Sequence, residues 1–580
     1  MKAKSFLPAF FIAIGALILF VPFLGQVHLF DWDEINFAEC AREMLVSKNY
    51  STVQIDFLPF WEKPPLFIWM QAVSMNVFGV NEFAARLPNA ICGVVTLLAV
   101  YSIGKRIYDE KFARIWVLAF AGSLLPNFYF HSGIIDPWFN LFIFLGIYQF
   151  AIYSNDFPSV STQKFFNSRI FLSAFFIALA VLTKGPVALL VFGLCFLFWR
   201  IRKRSAVMSW KHFFLFALIA LSIPRIWFLA LVAQGKGHLV VEFILYQIRL
   251  FSTEDAGHGG SFFYHWYILF IGCFPASIFA IRSLLKKSGD TPFELHMIKW
   301  MRILFWVVLI LFSIVKTKII HYSSLCYFPL TYLAAYTVYK LYTGIFEWKK
   351  WMTILLSVIG LLFVWAFSLI PFIERFKNDL IASGWMNDPF AVGNLQATAD
   401  WKGYEWIAGI ILAVGIISTF LFLRKSIFQK AIPVLFISVL ISTTMAAVMI
   451  APRIEEYSQN AAIEFWQSHA HEKCHLESVG YKSYAQYFYG NVQPGIETDP
   501  AYLAWKKDNE KQLTNPASSL SENEINMQRE WMLRGTANVD CPVYFVCKNT
   551  FESDMLKNYP LLKKIGEKNG FVFWERPMNQ

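Results

Sequence analysis

The sequence predicts an all-α polytopic membrane protein that ends in a small α/β unit. Three observations lead there. The 580 residues are 57% hydrophobic and 18% aromatic, with only 16% charged and a mean hydropathy of +0.46, a composition foreign to an ordinary water-facing domain. Apolar windows of the roughly 20 residues that a helix needs to cross a hydrocarbon layer recur over the first 450 residues. Beyond residue 451 the composition turns polar and mildly acidic.

Taken in order, the apolar windows lie near 6–24, 83–104, 112–130, 135–154, 168–183, 186–200, 213–233, 262–281, 303–315, 320–339, 351–372, 405–423 and 431–450. They predict about thirteen spans of bilayer thickness. The first window follows "MKAK" and has no small-residue A-x-A cleavage site after it, so it reads as a retained helix rather than a signal peptide. Orientation follows from the cations, because short cytoplasmic loops collect Lys and Arg. With the N-terminus inside, the basic loops "GKRIYDEKFAR" (104–114), "STQKFFNSR" (161–169), "WRIRKRSAVMSWK" (199–211), "RSLLKK" with "KWMR" (282–302), "EWKK" (347–350) and "LRKSIFQK" (423–430) all fall on the cytoplasmic side.

Thirteen crossings place the tail outside, so the chain divides into a transmembrane part, 1–450, with a long first outer loop at 25–82, and a soluble extracytoplasmic part, 451–580. Over 451–580, Lys and Arg number 14 against 17 Asp and Glu. The net charge of +11 therefore belongs to the membrane part and its inner loops, and no nucleic-acid partner is expected. In the tail, "CPVYFVCKN" (541–549) and "GFVFWERP" (570–577) read as strands and "EINMQREWMLRG" (524–535) as a helix. Of the eight cysteines, Cys92, Cys195, Cys273 and Cys326 sit in apolar windows as small core residues, while Cys474, Cys541 and Cys547 lie in the tail, where an oxidising compartment would allow one disulfide with its partners left open. There is no internal repeat and no low-complexity tract.

The polar motifs gather on the outer side. The first outer loop holds "FDWDEINFAECAREM" (30–44) and "FWEKPP" (60–65), followed further along by "HSGIIDPW" (131–138), "TKGP" (183–186), "RLFSTEDAGHGG" (249–260) and "KTKIIHY" (316–322). Each has a bland explanation. Asp33 and Glu34 can simply complement the dipole at a helix start, Asp136 can cap the helix that Pro137 opens, and His258 can be a solvated side chain in a Gly-rich loop. Lys184, Lys316 and Lys318 at span ends can snorkel to headgroups, yet cations so placed also suit a phosphate. Together, carboxylates for acid–base work and cations for phosphate, on one face and beside lipid, describe transfer from a lipid-phosphate donor.

The motifs "DWDEINFAECAREM", "FWEKPPLFIW", "NEFAARLP" (81–88), "IIDPW", "LTKGPVALL" (182–190), "EDAGHGGSFFYHWY" (254–267) and "KTKIIHYSSLCYFPL" (316–330) occur in the order found in the ArnT-like and protein-mannosyltransferase-like membrane glycosyltransferases, and the resemblance covers about residues 1–345. The resemblance implies a GT-C fold with its active site on the non-cytoplasmic face and a polyprenyl-phosphate sugar donor. It implies that Asp33 is the catalytic base, with Glu34 and Asp136 beside it. It further implies that Lys63, Arg249 and Tyr322 hold the donor phosphate, while Glu62 and His258 bind a divalent cation, Zn, Mg or Mn. One departure is that Asn36-Phe37-Ala38-Glu39 stands where the aminoarabinose transferases carry Arg-Tyr-Ala-Glu, which puts sugar and acceptor in question. Another is His321, which replaces a small or apolar residue.

The expectation is a periplasm-facing enzyme of a bacterial inner membrane that moves a pentose like aminoarabinose, or a hexose, from undecaprenyl phosphate to lipid A or another glycolipid. The alternatives are a protein O-mannosyltransferase-like enzyme and a transporter or flippase of polyprenyl-phosphate sugars, which would also need outward cations and membrane-embedded carboxylates. A transporter predicts these groups along a path to the inner loops. An enzyme predicts one outward pocket.

Overall fold

The architecture is taken from a computed structural model, which describes residues 3–31, 33–158, 164, 166–252, 259–285, 290–515, 518–534 and 541–576. Helices make up nearly all of the chain as far as Glu456. Among the described residues, six helices are long and apolar enough to cross a membrane: Glu82–Ile107, Trp210–Ala233, Pro292–Ile314, Lys350–Ala382, Ile407–Arg424 and Phe428–Glu456. Two bent pairs, Leu124–His131 with Asp136–Asp156 and Tyr264–Gly272 with Ala276–Leu284, bring the number to eight if each pair is one span.

The sequence-based figure of thirteen counts apolar windows, and several of these fold as helices shorter than a span. The windows at 168–183 and 186–200 become Ser168–Lys184 and Val187–Lys203, each of 17 residues. The break between them is built into "TKGP". Gly185 takes φ +106, which an L side chain rarely adopts, and Pro186 lacks the N–H that would continue the helix. Lys184 is thereby left on the last turn, at a helix end.

The helices bury aromatic side chains between them and turn aliphatic ones outward. Phe144 stacks on Phe328 at 4.4 Å, and the rings of Trp116 and Tyr332 meet edge to face at 5.1 Å. On Lys350–Ala382, by contrast, Leu361 and Trp365 are exposed, the surface that an acyl-chain solvent accepts.

Between the Ala3–Phe20 and Leu66–Phe78 helices the first loop folds into the Asp33–Ser47 helix and a two-residue hairpin, β1 (Gln54–Ile55) with β2 (Leu58–Pro59). The hairpin turns through Asp56 and Phe57, both at positive φ. Such a turn normally calls for Asn-Gly. Here Phe57 is buried, and its N–H donates to Glu43 Oε2 at 2.8 Å.

The tail carries a four-stranded sheet in the order β3-β4-β6-β5, with β3 (His475–Val479) parallel to β4 (Val543–Lys548), and β4 and β5 (Lys563–Lys568) both antiparallel to β6 (Phe571–Arg576). The Leu520–Arg534 helix packs Trp531 into the core of this unit beside Trp574. Strands and helix coincide with the segments the sequence marks at 541–549, 570–577 and 524–535. The two strands it does not mark are β3, whose five residues include a His and a Glu, and β5, an edge strand of "KKIGEK" with no apolar run. All eight cysteines are free thiols.

The sheet unit is seated on the first loop. Arg42 donates to Val492 O at 2.8 Å and to Asn491 Oδ1 at 3.3 Å, Leu29 N–H donates to the Tyr489 hydroxyl at 2.7 Å, and the Ser521 hydroxyl donates to Pro59 O at 2.7 Å.

Candidate active site

The site is assembled from helix beginnings and ends. Asp33 is the first residue of the Asp33–Ser47 helix and Asp136 the first of Asp136–Asp156, at the 120° bend after His131. Lys184 ends the Ser168–Lys184 helix, and His321 and Tyr322 ride a 3₁₀ turn, Ile320–Cys326. Lys63 follows the hairpin directly.

These groups meet. Lys184 Nζ donates to Asp136 Oδ1 at 2.7 Å, and His321 Nε2 lies 3.1 Å from Asp33 Oδ2 and 3.6 Å from Asp136 Oδ2. The Lys184 ammonium sits 5.0 Å from the centre of the Tyr322 ring, and Lys63 Nζ sits 5.3 Å from that of Tyr246. All of them line one cavity of about 530 Å³.

A smaller cavity of about 70 Å³ shares Lys63, Asp136, Lys184 and Tyr322 with that one and continues it between apolar side chains, among them Val187, Val191 and Leu325. The arrangement is thus a chamber whose charged groups are set among mostly apolar walls, joined to a smaller slot, with two ammonium groups at the junction.

Asp33 keeps 33% of its side chain open to the chamber. Burial would raise its carboxyl, but the charge and hydrogen bond of His321, followed by the charges of Lys184 and Lys63, outweigh it and hold the group well below the usual carboxylate range. Asp33 is therefore a carboxylate throughout the physiological range. Asp136 is buried, and among the described residues its Oδ2 has no hydrogen-bond partner.

Glu34, expected beside Asp33 as a catalytic group, has a different role. Both of its oxygens are occupied: Oε1 accepts from Arg86 Nε at 3.1 Å and from Gly133 N–H, and Oε2 accepts from Arg86 Nη2 at 2.8 Å and from Phe30 N–H at 2.9 Å. With four donors on two oxygens it cannot take a proton from a substrate. It fixes the start of the Asp33 helix against the bend that carries Asp136.

The cations expected to hold phosphate separate into groups. Lys63 and Lys184 reach the chamber with Tyr322. Lys318 does not, because its buried ammonium donates to the carbonyls of Phe312, Ser313 and Val315 and so caps the end of the Pro292–Ile314 helix. Lys316 is exposed and is not among the lining residues. Arg249 is one layer out, with its guanidinium 5.4 Å from the centre of the Tyr246 ring.

For the divalent cation, the two expected ligands are Glu62 and His258. His258 lies outside the described residues, and among the described residues no three His, Cys, Asp or Glu side chains gather. Glu62 is engaged by the Tyr246 hydroxyl at 3.0 Å and by the Lys63 ammonium at 3.6 Å.

Three residues of the chamber have no forecast role. His321 sits in a motif the sequence singles out, but its partners are far away in the chain. Lys482 and Tyr484 come from the loop after β3, so the tail supplies part of the wall. A larger cavity of about 920 Å³ lies apart from the chamber, and its charges pair with one another: His28 with Glu455, Lys402 with Asp400, Arg453 with Glu456 and Lys568 with Glu464.

Comparison with known proteins points in one direction. The family model described as dolichyl-phosphate-mannose-protein mannosyltransferase matches residues 62–228. The undecaprenyl phosphate-alpha-4-amino-4-deoxy-L-arabinose arabinosyl transferase of Shewanella sediminis is 28% identical over 333 residues, 57% of this chain and 58% of that protein. The protein of the same description from Wigglesworthia glossinidia brevipalpis is 26% identical over 334 residues, with the same shares. These matches thus span less than two thirds of the relatives' length.

Among solved structures, ArnT from Cupriavidus metallidurans bound to undecaprenyl phosphate superposes with a TM-score of 0.74 at 17% identity, covering 99% of this chain and 98% of that one. The Archaeoglobus fulgidus oligosaccharyltransferase follows with a TM-score of 0.51 at 10% identity, covering 94% and 70%. The fold is therefore that of ArnT from end to end, tail included. On sequence and architecture together, this multi-pass membrane protein is similar to the ArnT-like GT-C glycosyltransferases.

Proposed function

We propose that the protein transfers a sugar from undecaprenyl phosphate to the hydroxyl of an acceptor glycolipid such as lipid A. One observation carries the reading: a carboxylate, Asp33, and two ammonium groups, Lys63 and Lys184, share a chamber that runs on into a smaller slot between apolar side chains. The slot suits a polyprenyl chain, and the cations at the junction suit its phosphate. The names of the arabinosyl transferase relatives agree with such a donor.

In this reaction the acceptor hydroxyl gives its proton to Asp33 while its oxygen attacks the anomeric carbon. The bond from that carbon to the phosphate oxygen breaks, and the phosphate leaves with its negative charge held by Lys63 and Lys184. Asp136 keeps Lys184 in place. Tyr322 walls the phosphate site from the side opposite Phe139, whose ring centre lies 5.8 Å from Lys184 Nζ. No step is routed through a metal.

The geometry favours an enzyme over a transporter. Most residues lining the chamber come from the outer motifs and the tail, and among the described residues none comes from the basic loops at 104–114, 161–169, 199–211, 282–302, 347–350 or 423–430. On the same basis we place the chamber on the periplasmic side of a bacterial inner membrane, with the basic loops and N-terminus in the cytoplasm.

The test is transfer by the purified protein in lipid, using radiolabelled undecaprenyl-phosphate sugars with lipid A as acceptor and wild type beside Asp33→Asn and Lys63→Ala. Labelled lipid A from wild type alone is the expected result. Donor that crosses the bilayer unconsumed would instead make the protein a transporter, and label appearing only on protein acceptors would move it to the mannosyltransferase-like reading.

A further inference from the structure

The chamber contains an imidazole between two of its carboxylates, Asp33 and Asp136, and the reaction as written gives it no task. His321 is 16% exposed, its Nε2 is 3.1 Å from Asp33 Oδ2, and the same atom is 3.6 Å from Asp136 Oδ2. An imidazole nitrogen that faces two carboxylates presents its N–H to them. The chamber's other charged side chains are Lys184, on the far oxygen of Asp136, with Lys63, Lys482, Asp31, Glu34 and Glu62.

The backbone holds this ring in register with Asp136. Ser324, on the same 3₁₀ turn, donates its hydroxyl to His321 O and accepts from Asn140 Nδ2 at 2.7 Å. Asn140 stands one helical turn after Asp136 on the same helix, so the turn carrying His321 and the helix carrying Asp136 move as one body. The ring of Tyr322 packs edge to face on that of His321 at 5.5 Å and supports it from behind.

We propose that His321 is the positioning residue of the transfer: its Nε2–H fixes Asp33 Oδ2, turns Asp33 Oδ1 toward the acceptor hydroxyl, and ties the base to the Asp136–Lys184 pair that faces the leaving phosphate. The inference rests on the reading of Asp33 as base. Without this contact Asp33, at the open end of its helix and one-third exposed, is free to rotate about χ1 and χ2, and either oxygen faces the acceptor only part of the time. A misplacement of about 1 Å at a reacting group costs on the order of 10²-fold in rate. The sequence departure at position 321 thus bears on the orientation of the base and not on recognition of the sugar.

The experiment compares His321→Gln and His321→Asn with wild type and Asp33→Asn, in lipid, measuring kcat and both KM values alongside the melting temperature. A glutamine amide nitrogen lies at about the reach of Nε2, whereas an asparagine amide stops at about that of Nδ1 and falls short of Asp33. The expected result is kcat lowered 10- to 100-fold in His321→Asn, with the KM values within about twofold and the melting temperature unchanged, and most of that loss recovered in His321→Gln.

Equal kcat in His321→Asn and wild type, a loss confined to KM, or Gln and Asn variants that are equally impaired would each overturn the assignment of His321 while leaving the transfer reaction standing. Full activity of Asp33→Asn, or wild type with no transfer, would overturn the reading of the site itself and the assignment of His321 with it.

Discussion

Asp33 and Glu34 are adjacent carboxylates at one helix start, and the number of donors on each decides what it does. Glu34 has four, so it is structural. Glu34→Ala leaves Arg86, with its side chain 5% exposed, as a buried unpaired cation, and is expected to destabilise the protein by about 3–5 kcal/mol, read as a lowered melting temperature in detergent. Asp33 keeps one oxygen free, so Asp33→Asn is expected to lower kcat by about 10²- to 10⁴-fold with the melting temperature and expression unchanged. If the first variant loses activity without losing stability, Glu34 belongs with the chemistry after all.

Part of the site is legible in the sequence at this scale. Asp136, Lys184 and Tyr322 can be picked out because each sits at an apolar window's edge, and Asp33 and Lys63 because they stand beside aromatic residues in the outer loop, where a charge is conspicuous. Their neighbours cannot. Nothing in "KTKIIHY" separates Lys318, which spends its protons on three carbonyls, from a lysine that faces the chamber, because that choice is made by the bend of the backbone after Ile314.

At the scale of elements, the contact between the first loop and the tail depends on buried charge. Arg42 and Glu39 form a bidentate pair at 2.6 and 2.7 Å, and both are almost fully enclosed. Arg42→Ala strands Glu39 and removes the bonds to Val492 and Asn491. A loss of about 3–5 kcal/mol is expected, with the tail released first and detected as faster proteolysis there.

His28 makes a second link, to Glu455 at 3.2 Å. Burial disfavours the charged ring, but the hydrogen bond and charge of Glu455 and the charges of Glu82 and Glu464 raise its pKa on balance. A raised histidine contributes stability that is fully present below the ordinary value of about 6.5 and is lost as the pH rises through the folded value. The gap in melting temperature between wild type and His28→Asn is accordingly expected to be widest near pH 6 and to close as the solution becomes alkaline. A gap that widens with pH would contradict the pairing.

For the whole molecule, the apolar windows convey the helical membrane architecture well, because bilayer thickness and backbone satisfaction leave few alternatives. The number of spans is conveyed less well. The windows at 112–130 and 135–154 do not show that the chain will turn through 120° between them, before Asp136. Least legible is the seating of the tail on the first loop, since its contacts join residues more than four hundred positions apart, such as Leu29 and Tyr489, and carry no local pattern. Removal of residues 451–580 is expected to leave the helices inserted and transfer abolished, a result to be checked by assaying the truncated chain in lipid.

The wall formed by Lys482 and Tyr484 also has a temporal meaning. A ribosome must pass residue 484 before the chamber has all its sides, by which time every helix up to Glu456 has already been made and can be in the membrane. A nascent chain thus carries its carboxylate and its lysines before it carries the tail's share of the chamber wall.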